Sequence, residues 1–360
     1  MQTFRVELGA RAYPVHVGVH LLDEVGKLAL EAGLHGGRVA LVTDANVGPL
    51  YFERVADALS TAKFDPIRIQ IASGEGSKSL AMVEQLYDRM VEGRLDRNSA
   101  VFALGGGVVG DLAGFAAATF LRGLALVQIP TTLTGQVDSA LGGKTGVNHR
   151  QGKNLIGAFH EPRLIVADVE TLTTLGEREF REGLAEVIKY GAIMDATMID
   201  DLERDLPAIM AREPRPMEEI VERSLRHKAT VVERDEAESG LRKILNFGHT
   251  VGHAIEASSG FGHYLHGEAV AIGMMAAARL SQTYAGLRAV DAERLRALLK
   301  MAALPVEMPS QWASENFASA LNLDKKRSGS NIEFILIDRI GHALTYKLDS
   351  EQIIAELSAD

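Results

Sequence analysis

The chain has no cysteine. Disulfides are excluded, and any metal must be held by His, Asp or Glu. Positive charge is also scarce: 38 Lys and Arg stand against 48 Asp and Glu, a formal net charge of -10. That balance argues against nucleic acid or an anionic membrane as the main partner, while leaving room for a local basic pocket. No uninterrupted apolar run approaches the length needed to cross a bilayer. The opening residues Met1-Gln2-Thr3-Phe4-Arg5-Val6 lack the apolar core of a secretion signal. A cytoplasmic protein is the expectation. Internal repeats, low-complexity tracts and heptad series are missing too.

What is present suits a globular protein. The 360 residues suffice for two domains of ordinary size. Apolar residues make up 46% and charged residues 24%, enough for sizeable cores under a solvated surface.

The two halves differ in texture. Phe4, Val6 and Leu8, then Tyr13, Val15 and Val17, alternate with period two and predict an antiparallel pair. Short buried strands follow at Val39–Val42, ending in Thr43-Asp44, and at Ile67, Ile69 and Ile71, ending in Ser73-Gly74-Glu75-Gly76. Others are Val101–Leu104, running into three glycines, Leu126–Ile129, stopping at Pro130-Thr131-Thr132, and Leu164–Ala167. Continuous apolar strands separated by helical segments indicate a parallel sheet with both faces covered. Beyond Thr173 the pattern is mainly helical: 177–204, 216–237, 244–259, 266–285 and 289–302, interrupted by Pro207, Pro214, Pro216 and Pro305. A late strand pair, Ile332 to Ile337 and Ala343 to Leu348, turns at Arg339-Ile340-Gly341. The expectation is an α/β domain over 1–176 and a mostly α-helical domain over 177–360.

Gly105-Gly106-Gly107-Val108-Val109-Gly110 fits G-x-G-x-x-G. It follows a strand and leads into an apolar helix beginning near Asp111. Glycines let backbone amides approach a phosphate, and a helix N-terminus adds a favourable dipole. The plainer reading is a tight strand-to-helix turn. The loop lies far into the chain, and no acid ends the next strand, where a ribose partner is sought. Asp44 ends an earlier strand instead, and Glu75 and Lys78 follow another. A nucleotide is expected, in a variant Rossmann-like sheet.

The second half carries the sharper signal. In Asn246-Phe247-Gly248-His249-Thr250-Val251-Gly252-His253 two histidines stand at i and i+4 on one helix face. His266-Gly267-Glu268 follows, and Glu186 lies upstream. One Glu with two His is a catalytic zinc set that leaves a position open for substrate. An isolated H-x-x-x-H more often packs or caps a helix. Spacing alone does not choose the three ligands, since His253 and His263 compete. Lys144, Lys153, Lys189, Lys228, Arg242, Lys325 and Lys326 gather around these groups in sequence, and Asp138, Ser139 and Gly142-Gly143-Lys144 form a Gly-rich stretch. Together they suggest a shared anion site in an acidic protein.

Taken in order, Gly105–Asp111, Pro130-Thr131-Thr132-Leu133, Gln136-Val137-Asp138-Ser139, Gly142-Gly143-Lys144-Thr145, Gly152–Gly157, Ala185-Glu186-Val187-Ile188-Lys189 and Leu265-His266-Gly267-Glu268 resemble 3-dehydroquinate synthases. The likeness runs from about Asp44 to Lys326. It implies bound NAD and one divalent metal, usually zinc, or cobalt, on Glu186, His249 and His266. It implies cofactor contacts from Asp44, Ser73, Gly74, Glu75, Gly76, Ser77 and Lys78, and from Gly106, Gly107, Val108, Val109, Gly110 and Asp111. Thr131, Thr132, Lys144, Lys153, Thr171, Leu172, Thr173 and Thr174 complete that set. Substrate contacts are implied for Asp138, Lys144, Asn154, Lys189, Lys228, Arg242, Asn246, His253 and one of Lys325 or Lys326. Arg122 resembles a residue that reaches a neighbouring subunit's site, which implies a homodimer. The site would lie in the cleft between the two domains. Ser73 departs from the Asp many members carry there.

The implied substrate is 3-deoxy-D-arabino-heptulosonate 7-phosphate, converted to 3-dehydroquinate and phosphate in the shikimate route to aromatic amino acids. The net conversion is redox-neutral. A transient ketone at C5 explains the NAD: it acidifies the C6 hydrogen, so phosphate can leave. The hydride then returns, the ring opens, and the enol attacks the C2 carbonyl. The metal would hold the C4 and C5 hydroxyls as Lewis acid and template. Rival readings are a related cyclase making an inosose or a valiolone, an NAD-dependent polyol dehydrogenase, and a non-catalytic nucleotide or metal sensor. The carboxylate-facing candidates Lys144, Lys228 and Arg242 favour the keto acid.

Overall fold

The computed structural model describes residues 1–259, 263–310, 312, 317, 321 and 332–358. Lys325 and Lys326 lie outside the described residues. The chain divides into two compact units, Met1–Leu175 with Pro214–Glu233, and Gly176–Glu213 with Arg234–Asp360. The sequence reading draws one boundary near 176. In the structure the helix following Pro214 packs with the first unit.

The first unit is built on β1 (Gln2–Val6), β2 (Tyr13–Gly18), β3 (Gly37–Asp44), β4 (Phe64–Ile71), β5 (Ala100–Gly105) and β6 (Ala125–Pro130). A hairpin, β7 (Lys144–His149) and β8 (Gly152–Phe159), stands apart from the sheet, and β9 (Leu164–Asp168) completes it. The seven-stranded order is β1-β2-β9-β6-β5-β3-β4, parallel except for β1 on β2. Alternate residues of the central strands β3, β5 and β6 feed two cores. Val39 and Leu41 join α1 (Val25–Glu31) and α2 (Gly48–Thr61). Ala40 and Val42 join α3 (Leu80–Glu92) and α4 (Gly107–Thr119). Burial on both faces is why these strands read as unbroken apolar runs.

The β7–β8 hairpin was not expected as strands. Its outer strand leaves Leu155 and Phe159 exposed, at 43% and 55%. Leu155–Phe159 is a short apolar run, but Gly157 inside it and Gly146 in the partner strand weaken the strand signal.

The second unit is mainly helical: α5 (Glu177–Met194), α6 (Ala196–Met210), α8 (His249–Ser258), α9 (His266–Tyr284), α10 (Ala289–Met301) and α11 (Ser350–Ser358), while α7 (Pro214–Arg234) supplies the segment held by the first unit. The expected helix 177–204 breaks at Asp195, whose extended backbone and carboxylate cap α6 through the Met198 N–H. Pro207 does not interrupt: α6 runs through it. Pro214 and Pro216 lie in the first turn of α7, where helical N–H groups have no intrahelical acceptor to lose. The late pair forms as β10 (Ile332–Arg339) and β11 (His342–Leu348), in antiparallel register with Ile335 opposite Thr345. The Ile337 N–H donates to Ser281 Oγ at 3.0 Å, tying the pair to α9. Among the described residues, no helix is long and apolar enough to cross a membrane.

Candidate active site

In the first unit, β3 leads to β4 on one side, and the chain then returns to β5 on the other. Such a switch opens a crevice at the carboxyl ends of neighbouring strands. Asp44 ends β3 and Gly105 ends β5. The Ser73–Lys78 turn follows β4, Thr131 and Thr132 follow β6, and Thr171–Thr174 follow β9. The implied cofactor residues therefore share the carboxyl end of one sheet, apart from Lys144 and Lys153 on the hairpin.

Local chemistry shapes this end. Asp44 Oδ1 accepts the N–H groups of Asn46 and Val47 at 2.8 and 2.9 Å. Helix α4 starts at Gly107, four residues before the expected Asp111, so Val108, Val109 and Gly110 fall in its first turn. A Cβ at Gly106 would come 2.8 Å from Thr132 Cγ2, and one at Gly107 would come 3.1 Å from Ser139 Oγ. The glycines are thus required by packing as well as suited to a phosphate. Lys78 forms an ion pair with Asp111. Burial raises the Asp111 carboxyl and Lys78 opposes that shift.

Thr132 Oγ1 accepts the Gly135 N–H at 3.1 Å, ahead of a single π-helical turn, Gly135–Ser139. Such turns often carry functional side chains. Here the turn presents Asp138, whose carboxylate and carbonyl accept Lys228 Nζ at 2.8 and 2.6 Å. The buried Lys228 comes from α7. Asn148 donates to Glu75 Oε1 at 2.7 Å and accepts the Asn154 N–H at 2.9 Å. The sequence reading missed Asn148; a lone asparagine within a short strand carries no signal. Arg122 is not part of this group. It precedes β6, and so lies toward the amino end of that strand, exposed in a turn where Leu121, Arg122 and Gly123 have φ of 50°, 70° and 120°.

The second unit holds the metal candidates. Glu186 is fully buried on α5, one turn before Lys189, with which it is ion-paired. His249 opens α8 and His266 opens α9. Their Nε2 atoms approach one oxygen, Glu186 Oε1, at 3.5 and 3.6 Å. Ligand atoms from the three residues lie within 4.8 Å of one another. Around a tetrahedral zinc with bonds of about 2.1 Å, neighbouring donors stand ~3.4 Å apart. The residues fit a divalent cation.

Each ring's other nitrogen supports the same reading. His249 Nδ1 meets the Phe247 carbonyl at 3.2 Å, and His266 Nδ1 meets Glu256 Oε2 at 3.3 Å. An acceptor at Nδ1 keeps the proton there and leaves the Nε2 lone pair for a metal. Before a cation binds, burial, with the Lys189 ammonium, pushes the His249 pKa well down. Burial also acts to lower His266, but Glu186 and Glu256 outweigh it and push its pKa up to about 10. A cation entering there displaces that proton.

The His253 ring lies 5.4 Å from His249 and 5.8 Å from His266, centroid to centroid, and is exposed. It belongs to a second candidate group with Glu256 and His266. His263 is in neither group among the described residues; its carbonyl accepts Arg178. The helices meet through glycines. A Cβ on Gly273 would overlap the Gly248 carbonyl oxygen, one on Gly267 the Glu182 carbonyl oxygen, and one on Gly252 would come 3.0 Å from the Ala269 oxygen.

Arg242 is buried and donates to the Glu236 carbonyl at 2.7 Å; Asn246 donates to Glu238 at 3.1 Å. Their loop is organised by Asp235, which accepts the N–H groups of Ser239, Gly240 and Arg242 at 2.8, 2.7 and 2.9 Å. Those donors, Arg242 first, hold the Asp235 carboxyl well below the usual carboxylate range. Of these donors only the Arg242 N–H belongs to a buried residue, and leaving a buried donor unmet costs about 1–3 kcal/mol. Asp235→Ala is expected to lower stability by about 1–3 kcal/mol in denaturant unfolding. An unchanged midpoint would show that the loop holds itself.

Residues 68–182 match the family model described as 3-dehydroquinate synthase N-terminal, and residues 183–327 match 3-dehydroquinate synthase C-terminal. A 3-dehydroquinate synthase of Geobacter metallireducens is 50% identical over 341 residues, 95% of this chain and 94% of that protein. Two solved structures are similar throughout. A 2-deoxy-scyllo-inosose synthase complexed with carbaglucose-6-phosphate, NAD+ and Co2+ gives a TM-score of 0.89 at 26% identity, covering 99% of both chains. The 2-epi-5-epi-valiolone synthase of Streptomyces hygroscopicus, with NAD+ and Zn2+ bound, gives 0.87 at 30% identity, covering 98% of this chain and 96% of that one. With relatives at half identity along nearly their whole length and both halves of the family pattern present, the chain belongs to the 3-dehydroquinate synthase family.

Proposed function

We propose that the chain converts 3-deoxy-D-arabino-heptulosonate 7-phosphate to 3-dehydroquinate and phosphate, using catalytic NAD and one zinc or cobalt ion. The observation that carries this reading is the pair of imidazoles, each fixed at Nδ1 and each aiming Nε2 at Glu186. When bound, the cation would supply Lewis acidity and NAD a reversible hydride acceptor.

The chain's own residues do the remaining work. Asp44, the glycine turn and the threonines after β6 and β9 hold the nucleotide. Lys144, Lys228 and Arg242 neutralise the substrate's carboxylate and phosphate, with Asn154 and Asn246 as hydrogen-bonding partners. Asp138 keeps the Lys228 ammonium aimed. Lys189 sits beside Glu186 and orients a substrate oxygen. His253 is the exposed imidazole of the cluster, so we assign it proton transfer rather than ligation. Lys325 or Lys326 would add a further phosphate contact. The exposed turn bearing Arg122 suits a homodimer in which that residue serves the neighbouring copy. No nucleic acid or membrane partner is needed, and we read the protein as cytoplasmic.

A positioned general acid or base contributes ~10²–10⁴-fold. His253→Ala is expected to lose kcat in that range while still binding one metal per chain. Full activity in that variant would remove the relay role. The whole reading is tested by mixing the protein with the heptulosonate phosphate, zinc and trace NAD. Phosphate released far beyond the NAD present supports it. NADH accumulating in step with product would mean a polyol dehydrogenase. Turnover of a hexose phosphate instead would mean an inosose-forming cyclase.

A further inference from the structure

Glu256 has been given no role so far beyond its contact with His266. It lies on α8, seven residues after His249 and three after His253, on the face those histidines share. It is 5% exposed. Its Oε2 is 3.3 Å from His266 Nδ1, while the opposite nitrogen of that ring faces Glu186. The two imidazoles are thus backed differently: His249 by the neutral Phe247 carbonyl, His266 by a carboxylate. A carboxylate behind a ligating imidazole fixes its tautomer, orients the ring and raises its basicity.

The grouping of His253, Glu256 and His266 could instead hold a second cation. His266 Nδ1 cannot both donate a proton to Glu256 and offer its lone pair to another ion. With Nε2 committed to the first cation, the donor role is the consistent one.

We propose that Glu256 is a positioning residue, holding His266 as the Nδ1–H tautomer so that Nε2 meets the cation. The proposal rests on Glu186, His249 and His266 being the metal ligands. Zinc affinity is measured by chelator competition on the full chain, and geometry by the visible absorption of bound Co2+. Glu256→Gln keeps the size and an acceptor oxygen but not the charge; Glu256→Ala removes both. Zinc affinity should fall about 10-fold in Glu256→Gln and about 100-fold in Glu256→Ala. The Co2+ spectrum should change in the alanine variant, and excess metal should restore turnover in both. Should the alanine variant fail to fold, the glutamine variant decides alone. Wild-type affinity and an unaltered Co2+ spectrum in a folded variant overturn the proposal. So does a wild type with two ions per chain that drops to one on substitution, which makes Glu256 a ligand. A wild type that binds no cation overturns the ligand set beneath it, a failure visible before any variant is made.

Discussion

Glu186→Gln is expected to leave the protein without its cation and almost without turnover. The carboxylate is the one anionic member of the proposed ligand set, and it is fully buried. An amide oxygen keeps the shape but not the charge that compensates a divalent ion. The same change removes the partner of the buried Lys189 ammonium, and breaking a buried ion pair typically costs 3–5 kcal/mol. Lewis-acid assistance is worth several kcal/mol of transition-state stabilisation, so kcat should fall by at least ~10³-fold. Metal content after gel filtration and phosphate release under saturating substrate check the two parts separately. A variant that retains a full equivalent of zinc and wild-type turnover would end the assignment of this triad.

Gly273→Ala should be nearly as damaging, although residue 273 touches no ligand. The new methyl would be driven into the Gly248 carbonyl, which is backbone and cannot rotate aside. Gly248 has φ 81° and immediately precedes His249. Separating α8 from α9 therefore shifts His249 relative to His266. Overpacking of this kind costs about 1–3 kcal/mol, more when backbone must move. For a unit of this size that is a fall of about 2–4 °C in melting temperature per kcal/mol. Zinc affinity should drop along with it. A melting temperature and affinity equal to wild type would mean the helix crossing tolerates the methyl, and that it does not set the ligand spacing.

The contrast between the two substitutions marks what sequence could and could not supply. The sheet was legible because its central strands β3, β5, β6 and β9 are short apolar runs, while β2 and β4 alternate with period two. The glycine turn and the paired histidines were legible as motifs, but spacing alone did not choose Glu186, His249 and His266, which came only with the family resemblance. Gly252, Gly267 and Gly273 were silent, because a glycine inside a helical pattern reads only as a propensity penalty. Their reason is a neighbouring helix, which local sequence does not contain. Glu256 was silent for a similar cause: a glutamate on a helix reads as a solvated face until His266 is brought beside it. The break at Asp195 was missed because the apolar spacing on either side runs on almost without a phase change. The make-up of the first unit was also hidden, since nothing in residues 214–233 says which unit they will join.

That returning helix has a consequence for synthesis on the ribosome. The first sheet is encoded by residue 175, yet its unit also includes Pro214–Glu233, with the Lys228 side chain that meets Asp138. At 5–20 residues per second, the wait for the roughly 60 intervening and returning residues is about 3–12 s. During that time the nascent sheet is without α7, and a truncation at 175 would make the condition permanent. An expression fragment intended to capture nucleotide binding alone should therefore carry the stretch to Glu233.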